Sequence, residues 1–334
     1  MNGKFIFKTT IYLILILLVT TILFTSTIFA EDKIFKVALV TDIATNPFSV
    51  TLDAGARTAA YELGVDYVYE GPPNLSFVDQ MTIVRSLVNR GIDGILIAPA
   101  DSDAAVAPLK DVVEKGIAII CVDCGLAKND IPGLPLTLVT SDNVKGGRIA
   151  GERLAKLIGG KGKVALMRSS MQYSTDRDRA EGFKEVLSKY PDIKIVAEEF
   201  AEEQTSVAAT QIQTILSAHP DLAGVFAVTT PVAHGVAVGI KVMGKGGKVK
   251  LVSFDAQPME AQDIRDGLAE SLIAQAPYMM GYLGMQLMVN YLKGFIDSYP
   301  PLILTGYKII TKDNVDDPET QAWLYREEFL KIPN

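Results

Sequence analysis

Apolar residues between positions 36 and 123 come in two alternating rhythms. Short apolar runs, K-V-A-L-V-T-D over 36–42, V-D-Y-V-Y over 65–69, G-I-L-I-A over 94–98 and I-A-I-I-C-V-D over 117–123, predict strands. Between them, residues 49–64, 77–90 and 104–115 carry apolar positions at helical spacing and stop at Gly64, Gly91 and Gly116. Alternating strands and helices of this kind predict a parallel sheet covered on both faces. The pattern then restarts. K-V-A-L-M over 163–167 echoes K-V-A-L-V over 36–40, A-G-V-F-A-V-T-T over 223–230 echoes D-G-I-L-I-A-P over 93–99, and K-L-V-S-F-D over 250–255 echoes I-I-C-V-D over 119–123. Two similar α/β domains follow from the echo. Ligands of open α/β sheets sit beyond the carboxyl ends of the strands. The residues to weigh are therefore Asp42, Asn46, Asp101, Asp123, Cys124, Thr229, Thr230 and Asp255. Two such domains facing each other would line one cleft from both sides.

The chain has 334 residues, enough for one large or two medium domains, and a net charge of −7. An acidic chain without a basic run argues against nucleic-acid phosphates and anionic membrane surfaces as partners. Lys4 and Lys8, the apolar stretch 11–24, T-S-T-I-F-A over 25–30 and the acidic Glu31 and Asp32 read as a secretory signal peptide cleaved after Ala30. The alternative is a retained membrane anchor. In either case the bulk of the chain is expected to be exported. No cysteine follows the apolar stretch, so a lipoprotein is not expected.

Cys121 and Cys124 are the only cysteines. A structural zinc site needs four ligands, and His219 and His234 are the only histidines. A redox pair favours a helix N-terminus, whereas this pair lies in and just past a strand. A strand-end disulfide stays open, as does a core Cys121 with Cys124 lining whatever the strand end faces. The glycine-rich stretches 159–162 and 244–247 precede strands, so they read as turns and not as phosphate loops. There is no G-x-S-x-G elbow, and no acid–base or nucleophile set emerges. No enzyme activity, metal or cofactor is expected. Asn46 and Pro47 suit a helix cap and first turn, which leaves Phe48 unexplained. Composition leaves Arg177 and Arg179 between surface charge and site.

Several pieces occur in order: T-N-P-F at 45–48, G-I-D-G-I-L-I-A-P at 91–99 with Asp101 and Ser102, Val122-Asp123, and S-D-N at 141–143 with Gly146 and Gly147. They continue with R-x-R-x-E-G-F at 177–183, A-H-P-D at 218–221, Phe254-Asp255 and I-A-Q at 273–275. In these pieces the chain resembles the periplasmic sugar-binding proteins of ABC importers, of the ribose-binding type. The resemblance implies two three-layer α/β/α lobes with parallel sheets, a three-strand hinge and a ligand cleft between the lobes. Its crossovers fall near 141–142, 275–276 and 304–305. That divides the chain into a signal peptide at 1–30, an N-terminal lobe at 31–141 plus 276–304, and a C-terminal lobe at 142–275 plus 305–334.

The resemblance also implies sugar contacts from Asn46, Phe48, Asp123, Asn143, Arg177, Asp255 and Gln275. Other positions depart from ribose binders. Ser49 stands where they have a second Phe, Cys124 where they have Arg, and Thr229 where they have Asn. Glu203 lies near an aromatic position, and Asp42 replaces a small hydroxyl residue. The ligand expected is a sugar or polyol other than ribose. Y-E-G-P at 69–72 resembles the rhamnose- and autoinducer-binding branch. The expected role is delivery to an ABC permease by a monomer with no stable membrane insertion after leader removal. The alternatives are presentation to a chemotaxis or signalling receptor, or binding of an amino-bearing or autoinducer-like ligand. The last follows from charge. If Asp42, Asp123, Glu203 and Asp255 all face the cleft, Arg177 alone cannot neutralise them.

Overall fold

Each apolar run of the first repeat becomes a strand of one sheet. The computed structural model describes residues 33–325, so the leader read over 1–30 lies outside the described residues. Strands β1 (Lys36–Val40), β2 (Asp66–Glu70), β3 (Gly94–Ile97), β4 (Ala118–Val122) and β5 (Leu138–Ser141) pair in the order β2-β1-β3-β4-β5, with β11 (Leu302–Thr305) beyond β5. All pairings are parallel. Helices α1 (Pro47–Leu63) and α9 (Pro277–Leu292) pack with one face, burying Leu39, Leu52, Leu96 and Met285. Helices α2 (Phe77–Asn89) and α3 (Val106–Val113) cover the other, burying Met81, Leu87, Ile95 and Ile119.

The second repeat builds a second sheet. Its strands β6 (Gly162–Arg168), β7 (Ile193–Phe200), β8 (Leu222–Ala227), β9 (Lys250–Phe254) and β10 (Ser271–Ala274) pair in the order β7-β6-β8-β9-β10. The edge strand β12 (Lys308–Ile310) lies antiparallel to β10. Helices α4 (Asn143–Leu157) and α5 (Ser174–Leu187) bury Leu154 and Phe183 with Phe226 and Phe254 on one face. Helices α6 (Thr205–Ala218), α7 (Thr230–Val242) and α8 (Pro258–Arg265) line the other with Ile212, Val236 and Ile264. The short α10 (Pro318–Gln321) follows β12.

The chain passes between the sheets three times. It leaves β5 for α4, returns from β10 to α9, and leaves β11 for β12. Because β11 runs through Thr305, the third passage falls at Gly306 and Tyr307, one or two residues later than the resemblance implies.

Two pairs of helices meet backbone to backbone through reciprocal glycines. A Cβ on Gly55 of α1 would lie 1.9 Å from the Tyr278 carbonyl oxygen, and one on Gly281 of α9 would lie 2.0 Å from that of Leu52. The second domain repeats the device. A Cβ on Gly147 of α4 would lie 2.0 Å from the Arg179 carbonyl oxygen, and one on Gly182 of α5 would lie 2.0 Å from that of Val144.

Both cysteines are free and buried. Cys121 lies in the core against α2 and α3, and burial pushes its thiol up to about 12. Cys124 lies past the strand end, with Sγ 3.4 Å from the Thr175 hydroxyl. No helix among the described residues is long and apolar enough to cross a membrane.

Candidate ligand-binding site

The carboxyl ends of the two sheets face each other, and their side chains enclose one cavity. From the first sheet come Asp42 after β1, Asn46, Phe48 and Ser49 at the start of α1, and Asp123 and Cys124 after β4. From the second come Tyr173, Arg179, Glu203 after β7, Thr229, Thr230 and Pro231 after β8, Asp255 after β9 and Gln275 after β10. Beyond Asn46, Glu203, Thr230 and Pro231 a wider depression of about 650 Å³ opens, walled by Pro73, Leu75, Gln204 and Thr205.

The local sequence explains several of these placements. Asn46 caps α1 by accepting from the Phe48 N–H at 3.0 Å, and Pro47 supplies the first helical turn. The cap sets Phe48 pointing out of the helix start, where its ring meets Tyr325 edge-on at 5.6 Å between centroids. Asp123, Glu203 and Asp255 have φ of 61°, 57° and 77°, in the left-handed region that ordinary residues avoid. Such backbone costs on the order of 1 kcal/mol or more per residue, and it clusters where a side chain must be aimed. Asp123 and Asp255 follow the echoing strands β4 and β9, so the two domains make the same turn with the same residue.

Arg179 is the cation of the cavity. Its Nε donates to Asn143 Oδ1 at 2.9 Å, and Nη1 donates to the Val228 carbonyl at 2.7 Å. Its guanidinium carbon lies 4.0 Å from the centroid of the Phe254 ring. Burial opposes its charge, but Asp255 and Asp123 outweigh this and raise its pKa.

Two expected contacts are corrected. Arg177 does not line the cavity. It lies on the exposed side of α5, where Nη1 donates to Asp103 and to the Met171 carbonyl, both at 3.0 Å. Two residues along a helix turn a side chain by about 200°, so only one of Arg177 and Arg179 can face inward. Asn143 is buried and also stands outside the cavity. Its amide nitrogen donates to Thr140 and the Ser141 carbonyl while its oxygen holds Arg179. Asp101 caps the turn before α3 through the backbone N–H groups of Asp103 and Ala104 and does not line the cavity either.

Tyr173 and Tyr325 were not singled out in the sequence. Tyr173 reaches from the second domain and donates to Asp42 Oδ2 at 2.5 Å. Tyr325, in the tail after α10, donates to Asp255 Oδ1 at 3.0 Å. Gln275 Nε2 donates to the same oxygen at 2.7 Å. Sequence offers little signal for either tyrosine, since one sits in a loop and the other is 70 positions from its partner. Arg179 had a signal: it lies four residues before Phe183, on the buried face of α5.

Electrostatically the cavity is short of positive charge. Burial pushes Asp123 up to about 7, with Arg179 lowering it and Asp255 and Asp42 raising it. Burial also pushes Glu203 up to about 7, partly offset by its hydrogen bond from Ser169. Asp42 is raised by burial against its bonds from Tyr173 and Ile43. Behind the cavity, burial pushes Glu260 up to about 8.

These groups bind protons more tightly folded than unfolded, where carboxylates titrate near 4. Stability is therefore greatest below the unfolded values and is lost as pH rises through about 7 to 8. His234, raised by the hydrogen bond it donates to Asp263, acts in the same direction. Ligand-free protein is expected to melt at a lower temperature at pH 8 than at pH 5. Glu203→Gln is expected to flatten the dependence. Thermal melts across that range check this, and a melting temperature that rises with pH would refute it.

Two α/β domains joined by three passages, with opposed strand ends around a polar cavity, are the architecture of a two-lobe solute-binding protein. The chain belongs to the periplasmic binding protein family, whose domain matches residues 37–295. It is 32% identical over 265 residues to the ribose import binding protein of Salmonella typhimurium, covering 79% of this chain and 86% of that one. Among solved structures it resembles an ABC transporter solute-binding protein from Agrobacterium vitis bound with α-D-tagatopyranose. That match has 34% identity and a TM-score of 0.84, and covers 87% of this chain and 99% of that chain. It also resembles a carbohydrate transporter solute-binding protein from Agrobacterium radiobacter in complex with D-arabinose, at 28% identity, TM-score 0.81 and coverage of 88% and 100%.

Proposed function

We propose that the protein is an exported solute-binding protein that captures a sugar or polyol in the cavity and delivers it to an ABC importer. The observation that carries this is a pair of buried acceptors facing the cavity, Asp123 Oδ1 and Gln275 Oε1, which have no hydrogen-bond partner in the protein. A buried acceptor left unpaired costs about 1–3 kcal/mol, and a ligand rich in hydroxyls supplies the missing donors. Phe48 adds an apolar face for C–H groups, and Arg179 adds charge-assisted donors. Sugar-binding relatives and the leader read over 1–30 support export and transport. Ser49, Cys124, Thr229 and Glu203 make ribose itself a poor fit, since a ring and a guanidinium of the ribose binders are missing here.

Because polar groups of both domains contact one another around the cavity, capture involves closure of the two lobes about their three connections. Asp42 with Tyr173, Asn46 with Gln257 and Arg177 with Asp103 span the two sides. Isothermal titration of ligand-stripped protein against pentoses, hexoses, deoxysugars and polyols tests the reading. At least one class is expected to bind, with loss of binding in Asp255→Ala, and silence across the panel would refute it. Uptake of that sugar by cells lacking the protein separates transport from presentation to a receptor.

A further inference from the structure

Asp42, Asp123, Glu203 and Asp255 line the cavity against one guanidinium, that of Arg179. The charges are unevenly matched. Arg179 is held by Asn143, the Val228 carbonyl and the Phe254 ring, and its charge is felt by Asp255 and Asp123. Asp42 and Glu203 repel each other and both act on Tyr173, which lies between the two lobes. Their side-chain partners are neutral hydroxyls, Tyr173 for Asp42 and Ser169 for Glu203, with Thr229 close by. A hydroxyl stabilises a buried carboxylate far less than a cation does.

A second observation concerns what the cavity leaves unpaired. Gln275 is 1% exposed and its amide oxygen has no partner; the buried atoms Asp123 Oδ1 and Thr229 Oγ1, also at the cavity, have none either. The Gln275 amide oxygen and an ionised Asp123 are acceptors, so their missing partner is a donor, while the Thr229 hydroxyl can take either role. An ammonium offers three donors and no acceptor. A metal ion is the competing cation, but no group of three or more metal-ligating side chains converges among the described residues.

We propose that the ligand carries a protonated amine, as in an amino sugar or amino polyol, with its ammonium between Asp42 and Glu203 and its hydroxyls toward Asp123, Asp255 and Arg179. The proposal rests on the sugar-or-polyol reading above and narrows it. The ammonium supplies a second positive charge, beside an Arg179 whose hydrogen bonds go to Asn143 and the Val228 carbonyl. Glu203 has a pKa of about 7 without ligand, so an ammonium beside it would draw off the proton it partly holds.

Titration calorimetry on ligand-stripped protein at pH 7 tests the proposal with matched compounds: D-glucosamine, D-glucose and N-acetyl-D-glucosamine; the galactose counterparts; and glucamine with glucitol. At least one amine is expected to bind about tenfold or more tightly than its hydroxyl and N-acetyl counterparts, as a desolvated charge pair would give. In Asp42→Asn and Glu203→Gln that ratio is expected to fall toward one, with thermal melts confirming that both variants fold. In buffers of different ionisation heat, amine binding is expected to release a proton. If neutral sugars bind and every amine binds equally or more weakly, the amine inference is overturned while the sugar reading stands. If neither class binds, both are overturned.

Discussion

Arg179→Ala is expected to lose both stability and ligand affinity, while Arg177→Ala, two residues away, changes little. Arg179 is 2% exposed and is held by Asn143, the Val228 carbonyl and the Phe254 ring. Removing it takes away the positive charge that acts on Asp255 and Asp123. It also leaves the Asn143 amide oxygen and the Val228 carbonyl without their donor; each buried acceptor left unpaired costs about 1–3 kcal/mol, so the loss is a large share of the roughly 5–15 kcal/mol by which a typical domain is stable. Arg179→Lys keeps the charge but loses the planar fork and the stacking. It is expected to fold and still bind about a hundredfold more weakly, a loss of about 2.8 kcal/mol. Arg177 makes an exposed pair with Asp103, and such pairs contribute about 0–1 kcal/mol. Urea denaturation and titration with the best-binding sugar measure both effects. Equal damage from Arg177→Ala and Arg179→Ala would contradict this assignment of the inward arginine.

Gly182→Ala is expected to destabilise the second domain by about 3 kcal/mol, near the upper end for inserting a methyl group into a packed interior. The added Cβ would meet the Val144 carbonyl oxygen at 2.0 Å. That neighbour is backbone, so α4 and α5 must separate. Separation also moves Arg179, whose carbonyl faces Gly147 across the same contact. Affinity should therefore fall along with stability, although Gly182 does not line the cavity. Chemical denaturation together with calorimetry tests the pairing of effects. Unchanged stability in Gly182→Ala would show that the helices can slide apart freely.

The order of elements was legible in the chain because local rules set it. Continuous apolar runs such as 36–40 and 163–167 form strands wherever helices cover both faces, and glycines such as Gly64 end helices through their left-handed backbone. The echo between β4 and β9 also placed Asp123 and Asp255, since a strand end is a position along the sequence. The cap at Asn46 was legible for the same reason, but the cap alone left Phe48 unexplained.

What sequence could not decide was direction and distant company. Arg177 and Arg179 are equivalent to composition; the four-residue spacing to Phe183 favours Arg179 only once the register of α5 against the second sheet puts Phe183 on the buried face. That register is set by Phe183 packing on Phe226 at 4.8 Å between ring centroids. Tyr173 on Asp42 and Tyr325 on Asp255 join residues 131 and 70 positions apart, and no local periodicity encodes such pairs. The sequence by itself determined which residues would stand at the strand ends. Only the tertiary structure decided that four carboxylates would line one cavity with a single buried guanidinium, because the balance of charge in a cavity depends on which side chains turn inward together.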